Sequence, residues 1–213
     1  MQLTKYTHAC VRLDEGDRTL VIDPGVFSEL DAALDGADAV LITHEHADHL
    51  HADRLSDALT ANPRLQVWAP LSVVETLDEF GDQVVAVDPG QDFEAAGFRV
   101  QTFGGQHAVI HPSIPVIANI GYLVDNSVYH PGDSFSVPSV DVSTLLLPTH
   151  APWSKTAEVI DFAVAVRAPQ VFQIHDSLIT GIAANMIEGH VARIAEPFGV
   201  TFQHLAPLES VGV

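Results

Sequence analysis

Apolar residues recur along the chain with two periods, and the switches between them outline the elements. The start reads as a meander. Residues 2–8, 9–13 and 18–22 alternate or run apolar, with Asp14-Glu15-Gly16-Asp17 as a hairpin turn between the last two. Residues 39–43 form a short apolar run that predicts a buried strand ending at a histidine cluster. Residues 51–61 carry Leu55, Ala58 and Leu59 on one helical face, and Asn62-Pro63 stops them. Residues 65–69 predict a strand. Ser72 and Glu75 stand at capping-box spacing for a helix running to about Phe80, before Gly81.

The second half repeats this grammar. Residues 92–95 and 98–103 predict a hairpin across Ala96-Gly97, and residues 117–124 and 127–130 another across Asp125-Asn126. A buried strand is expected at 143–147 and an amphipathic helix at 154–167, capped by Ser154. A strand at 170–174, a helix at 180–195 ending before Pro197, and a strand at 201–205 complete the chain. Meander first and strand–helix alternation afterwards, twice over, predicts two mixed sheets packed face to face with helices outside. Inner strands covered on both faces explain the continuous apolar runs. The expectation is one α/β (α+β) domain over residues 1–213, built from two similar halves, about 1–90 and 91–213.

Composition fits that picture and narrows the function. A hydrophobic content of 47% over 213 residues suits a globular core. No apolar run reaches bilayer length, and the start lacks the features of a signal peptide, so a cytoplasmic protein is expected. Cys10 is the only cysteine, and its alternating apolar surroundings predict a buried, inert thiol. The chain has 28 acidic and 9 basic residues, a formal net charge of −19. Such a surface repels phosphate backbones and anionic membranes. The expected partner is therefore a small molecule; nucleic acid and membrane are not expected, and a homo-oligomer stays open.

Twelve histidines change the picture most. Thr43-His44-Glu45-His46-Ala47-Asp48-His49 follows the buried strand directly. His44 and His46 are two apart, so on an extended segment their rings point the same way. With Asp48 and His49 the segment offers three imidazoles and a carboxylate, donors that suit zinc and related metals. Four ligands cannot satisfy two metals, so a dinuclear site would draw on other segments.

His44-x-His46-x-Asp48-His49 resembles the signature of the metallo-beta-lactamase superfamily. Later motifs in the family's order extend the resemblance over nearly the whole chain: Phe103-Gly104-Gly105-Gln106-His107, Tyr129-His130-Pro131-Gly132-Asp133-Ser134 and Gln173-Ile174-His175-Asp176. The resemblance implies a four-layer αββα sandwich with two divalent metal ions. Zinc is the default, with manganese or iron also suited to the ligands. It implies one metal on His44, His46 and His107, a second on Asp48, His49 and His175, and Asp133 bridging both. It further implies a hydroxide between the metals as nucleophile, which Asp48 helps to orient. His111 competes with His107, and His204 with His175, on sequence grounds alone. Two divalent cations, two carboxylates and a hydroxide leave about one positive charge, which admits an anionic substrate.

Asp23, in Val21-Ile22-Asp23-Pro24-Gly25, matches a family position near the metals, where a carboxylate would take the second N–H of a ligating histidine; the alternative is an ordinary strand-ending acid. His8, His51 and His150 are further candidates near the pocket, with His150 as a catalytic side chain beside Asp48 and Trp153 as an apolar wall. Within the superfamily the chain is most similar to the UlaG-like branch, through Thr7-His8-Ala9-Cys10, Ile22-Asp23-Pro24 and Leu146-Leu147-Pro148; Thr149-His150 departs from that branch's pattern. The expected activity is hydrolysis of an ester-type small molecule: a lactone, cyclic ester or phosphodiester. The alternatives are a metal-dependent nuclease or RNA-processing enzyme, which calls for a basic surface, and a di-iron redox or non-catalytic metal-binding protein.

Overall fold

The computed structural model describes residues 1–213 and places fourteen strands in two seven-stranded sheets. The first sheet contains β1 (Gln2–Lys5), β2 (Val11–Glu15), β3 (Arg18–Ile22), β4 (Ala39–Leu41), β5 (Gln66–Ala69) and β6 (Val84–Ala86), with β14 (Ser210–Gly212) on its edge beside β1. The second runs from β7 (Asp92–Ala95) through β8 (Phe98–Gly104), β9 (Ile120–Val124), β10 (Val128–His130), β11 (Thr144–Pro148) and β12 (Gln170–Ile174) to β13 (Thr201–Gln203). Each sheet opens antiparallel and continues parallel, from β3 onward in the first and from β10 onward in the second. Parallel neighbours need crossovers, and helices supply most of them.

Three apolar layers hold the sandwich together. The middle one joins the facing sheets through residues such as Leu13, Leu20, Leu41, Phe98, Val100, Tyr122 and Phe172. An outer layer packs the first sheet under α1 (Leu30–Leu34), α2 (Ala52–Ala61) and α3 (Leu71–Thr76). The other packs the second sheet under α4 (Thr156–Val166) and α5 (Gly181–Ala195). The result is the αββα order expected from the pattern. Tyr122 also links the sheets by a polar contact: its buried hydroxyl lies 2.9 Å from the Ile42 carbonyl oxygen and donates across the interface.

Several local expectations fail for identifiable reasons. α1, β6 and β14 are too short, at five, three and three residues, for any period to show. β1 ends at Lys5, because residues 6–10 turn back with Tyr6 N–H on the Cys10 carbonyl, and His8 sits in that turn at φ 68°. α3 begins at Leu71 with Pro70 at its cap; Ser72 is inside the helix and its hydroxyl has no partner, so the capping box does not form. Lys155 rather than Ser154 caps α4, and its N–H donates to Glu158 at 3.1 Å. The Ser154 hydroxyl accepts from Ala151 N–H instead.

Two measurements test this packing. Tyr122→Phe leaves the Ile42 carbonyl without its donor and should lower unfolding stability by about 1–2 kcal/mol in urea titrations. Cys10 is fully buried and burial raises its thiol pKa, so it should resist a thiol reagent until the chain is unfolded.

Candidate metal centre

Chemistry-bearing side chains gather where several strands end. Asp23 follows β3, the segment 43–49 follows β4, His107 follows β8, Asp133 follows β10 and His175 follows β12 directly. Carboxyl ends of strands in mixed α/β sheets are where such loops converge. The turn after β3 approaches the 43–49 segment so closely that a Cβ on Gly25 would collide with the Asp48 carbonyl. Val26 N–H, donating to the Ala47 carbonyl at 2.9 Å, fixes the same approach.

One buried carboxylate organises the cluster. Asp23 accepts from Thr43 N–H and from the Thr43 hydroxyl, both at 2.7 Å, and from His49 Nδ1 at 2.6 Å. The Thr43 oxygen lies 2.9 Å from His44 Nδ1, so the same chain of bonds orients His44. His107 Nδ1 donates to the Ala108 carbonyl and His175 Nδ1 to the His150 carbonyl, each at 2.6 Å. A carbonyl or carboxylate oxygen only accepts, so each Nδ1 of His49, His107 and His175 carries a hydrogen. In a neutral ring the opposite nitrogen, Nε2, is then a bare lone pair.

These lone pairs face carboxylate oxygens. His49 Nε2 is 3.1 Å from Asp133 Oδ1, while His107 Nε2 and His175 Nε2 are 3.4 and 3.1 Å from Asp133 Oδ2. His175 Nε2 is also 3.4 Å from Asp48 Oδ2. None of the three nitrogens, nor Asp133 Oδ1, makes a hydrogen bond, although all are buried. Lone pairs aimed at carboxylate oxygens repel one another unless positive charge lies between them. The titration directions agree. Burial pulls His49 down, yet Asp133 and Asp23 carry it well above the ordinary imidazole range. Burial likewise opposes His175, which Asp133 and Asp48 raise to about 9. Asp133 is held well below the carboxylate range because His49, His107 and His175 outweigh its burial.

A proton or a metal ion can supply that charge, and the donor set fits a metal. Ligand atoms of His44, His46 and His107 lie within 4.8 Å of one another, as do those of His8, Asp48, His49 and His175, and those of His44, His49 and Asp133. His44 Nε2 and His46 Nδ1 are 3.1 Å apart, close to the roughly 3.3 Å edge of a tetrahedron with zinc–nitrogen bonds. The structure therefore brings His44, His46, Asp48, His49, His107, Asp133 and His175 together, with His8 beside them.

The other candidates separate. His8 is buried, with Nε2 3.1 Å from Asp48 Oδ2 and Nδ1 2.8 Å from the Ser177 hydroxyl. Trp153 is more than an apolar wall: its indole N–H donates to Asp133 Oδ2 at 2.9 Å. His150 is half-buried and contributes its carbonyl to His175. His111 is exposed and bonds Ser113, His204 pairs with Glu188, and His51 caps α2 outside the cluster.

The sequence from residue 2 to 175 matches the Beta-lactamase superfamily domain. The chain belongs to the metallo-beta-lactamase superfamily. It is 38% identical to Protein Rv0786c of Mycobacterium tuberculosis, over 99% of this chain and 98% of that protein. It is 31% identical to the UPF0173 metal-dependent hydrolase MJ1163 of Methanocaldococcus jannaschii, over 62% of this chain and 60% of that one. Among solved structures, Igni18, a metallo hydrolase from Ignicoccus hospitalis, superposes with a TM-score of 0.75 at 20% identity, covering 99% of this chain and 97% of its own. At that identity the likeness establishes the superfamily fold.

Three braces of the superfamily site escaped the sequence reading. The Asn119 carboxamide accepts from Asp133 N–H and donates to the Pro131 carbonyl, both at 2.9 Å. His130 donates from Nε2 to the Ala9 carbonyl and accepts from Gly132 N–H. Ser177 holds His8. The one available signal was Asn119, a lone amide just before the apolar run of β9.

Asp23→Asn keeps the shape but replaces one acceptor oxygen with a donor. It should weaken metal binding about 10–100-fold in competition with a chromophoric chelator, with the fold retained by circular dichroism.

Proposed function

We propose that the protein is a metal-dependent hydrolase of ester-type bonds in small molecules, working from a dinuclear centre. The observation that carries the reading is the set of buried, unbonded Nε2 atoms converging on Asp133. His44, His46 and His107 would hold one ion and Asp48, His49 and His175 the other, with Asp133 between them and zinc as the default metal. Metal ions in such a site supply Lewis acidity and a water acidified toward about pH 7.

The chain's own groups do the positioning. Asp23 and the carbonyls of Ala108 and His150 fix the tautomers of His49, His107 and His175. Asp48 is half-exposed, and His8 holds one of its oxygens, which leaves the other to orient the attacking water. Trp153 fixes Asp133 through its indole N–H. His150 gives its carbonyl to His175, and burial, with the neighbouring His175, lowers the pKa of its ring, which we assign to hydrogen-bonding the leaving oxygen. The names of the UPF0173 relatives and the structural neighbour support hydrolysis, and Thr7-His8-Ala9-Cys10 and Ile22-Asp23-Pro24 favour the UlaG-like branch. The net charge of −19 disfavours nucleic acid as substrate. The lone buried thiol suits a cytoplasmic setting, and no helix is long and apolar enough to cross a membrane.

Elemental analysis should find about two transition-metal ions per folded chain. Asp133→Ala should lose at least one of them and lower ester hydrolysis by more than about 100-fold. A folded chain that binds no metal, or a variant that keeps both metals and full activity, rules the assignment out. His150→Ala should lower kcat more than it alters KM, with metal content unchanged.

A further inference from the structure

Three of the loops around the centre expose apolar side chains, and those three carry no lysine or arginine. Val26 and Phe27, each 44% exposed, follow Asp23, and the Phe27 ring meets His8 edge-on at 5.3 Å. Leu178, 47% exposed, follows Ser177, which bonds His8. Val109, Ile114 and Val116 are exposed on the loop that leaves His107 and returns at Ile117. Its stem is clamped by His107 N–H on the Ile117 carbonyl at 3.0 Å and Ala108 N–H on the Asp133 carbonyl at 2.8 Å. Single exposed apolar residues are ordinary; six on three loops tied to one site are a feature of that site. A cleft of about 480 Å³ beside His107, lined in part by Val109 and Phe135, continues the surface inward.

Charge points the same way. Segments 23–29, 43–51, 104–118, 131–138 and 175–180 contain no lysine or arginine. The buried Lys5 ammonium is 3.2 Å from Asp176, and Lys155 is 2.8 Å from Glu158. No cationic side chain pairs with Asp23, Asp48 or Asp133 except histidine. Asp23 adds a third carboxylate beside the ligands, which cancels the positive surplus counted from Asp48 and Asp133 alone. Outside these segments Lys155 stands two residues from Trp153 and pairs with Glu158, and Arg54 shares a cleft with Val26 and pairs with Asp31, so a carboxylate or phosphate on the substrate would have to displace an existing ion pair to meet either.

We propose that the substrate is an uncharged ester with a hydrocarbon arm, and that the arm lies on the rim formed by Phe27, Val109, Ile114 and Leu178. The inference rests on the hydrolase reading. In the reaction the acyl C–O bond breaks, water supplies the new hydroxyl to the acyl carbon, and the remaining proton goes to the leaving oxygen.

The test uses the metal-loaded protein with p-nitrophenyl acetate, butyrate, hexanoate and octanoate, and with the negatively charged mono-p-nitrophenyl succinate. kcat/KM should rise two- to fourfold per added methylene, and the succinate ester should fall at least tenfold below butyrate. In Phe27→Ser/Ile114→Ser the octanoate-to-acetate ratio should collapse at unchanged metal content. A flat chain-length series, or a preference for the succinate ester, overturns the proposal while leaving hydrolysis intact. Binding of the neutral dye N-phenyl-1-naphthylamine gives a readout independent of turnover. Its fluorescence should be quenched by 1-octanol, far less by octanoate, and should fall in the double variant. Dye binding without turnover of any ester would sink the hydrolase reading and keep the apolar class; absence of dye binding overturns the proposal. So would a concentration-dependent dimer, seen by sedimentation, that the double variant abolishes, or co-sedimentation with phosphatidylcholine vesicles; a second copy or a bilayer would then cover the rim.

Discussion

Everything at the centre hangs on a carboxylate that points away from any substrate. Asp23 is fully buried, and its two oxygens take the Thr43 amide, the Thr43 hydroxyl and His49 Nδ1. Through Thr43 it also reaches His44. One side chain thereby fixes the start of the 43–49 segment, one ring from each proposed metal position, and the join between β3 and β4. A buried carboxylate is costly unless every lone pair is used, and here the use made of them is the orientation of the site. Asp23 itself sits at φ 52°, in the left-handed region that few residues other than glycine enter. His8 and His175 share that conformation, at 68° and 57°. Backbone strain at three neighbouring positions is held in place by the hydrogen bonds and packing around them.

Legibility in the sequence followed density and period. The run from Thr43 to His49 was readable because four donors crowd one short segment after an apolar strand. The sandwich was readable because β9 and the leucine run of β11 are apolar and the hairpins carry turn residues. His107, Asp133 and His175 stand far apart in the chain, so only the family resemblance connected them; their convergence depends on which strands end side by side. The roles of Asn119, His130 and Ser177 arise from hydrogen bonds across 14, 121 and 169 positions, which no local pattern encodes. Trp153 read as a wall because a ring is apolar, yet its one polar atom determines what it does. α1, β6 and β14 failed on length, since three to five residues complete too little of either period to register.

The contrast between centre and surface is electrostatic. The protein is strongly acidic as a whole, while the center gathers imidazoles around buried carboxylates and its rim carries hydrocarbon. Long-range attraction of a charged molecule has little to work with in that arrangement. Recognition at the rim falls to contact area and the release of water.

The edge strand β14 has a consequence for the order of assembly. Gln2 pairs with Gly212 and Leu3 with Val211, so β1 is flanked on one side by residues from the opposite end of the chain. The turn that follows β1 is bound just as remotely, His175 N–H donating to the His8 carbonyl and Lys5 meeting Asp176. Contacts of such span are slow to form, because a long loop must close before they return any stabilisation. The histidine run at 43–49 is local, but the groups that complete the cluster, His107, Asp133 and His175, reach it only through the closed sandwich. The full set of proposed ligands therefore comes together only through contacts of long span, which makes the centre a product of the finished fold rather than of the 43–49 segment.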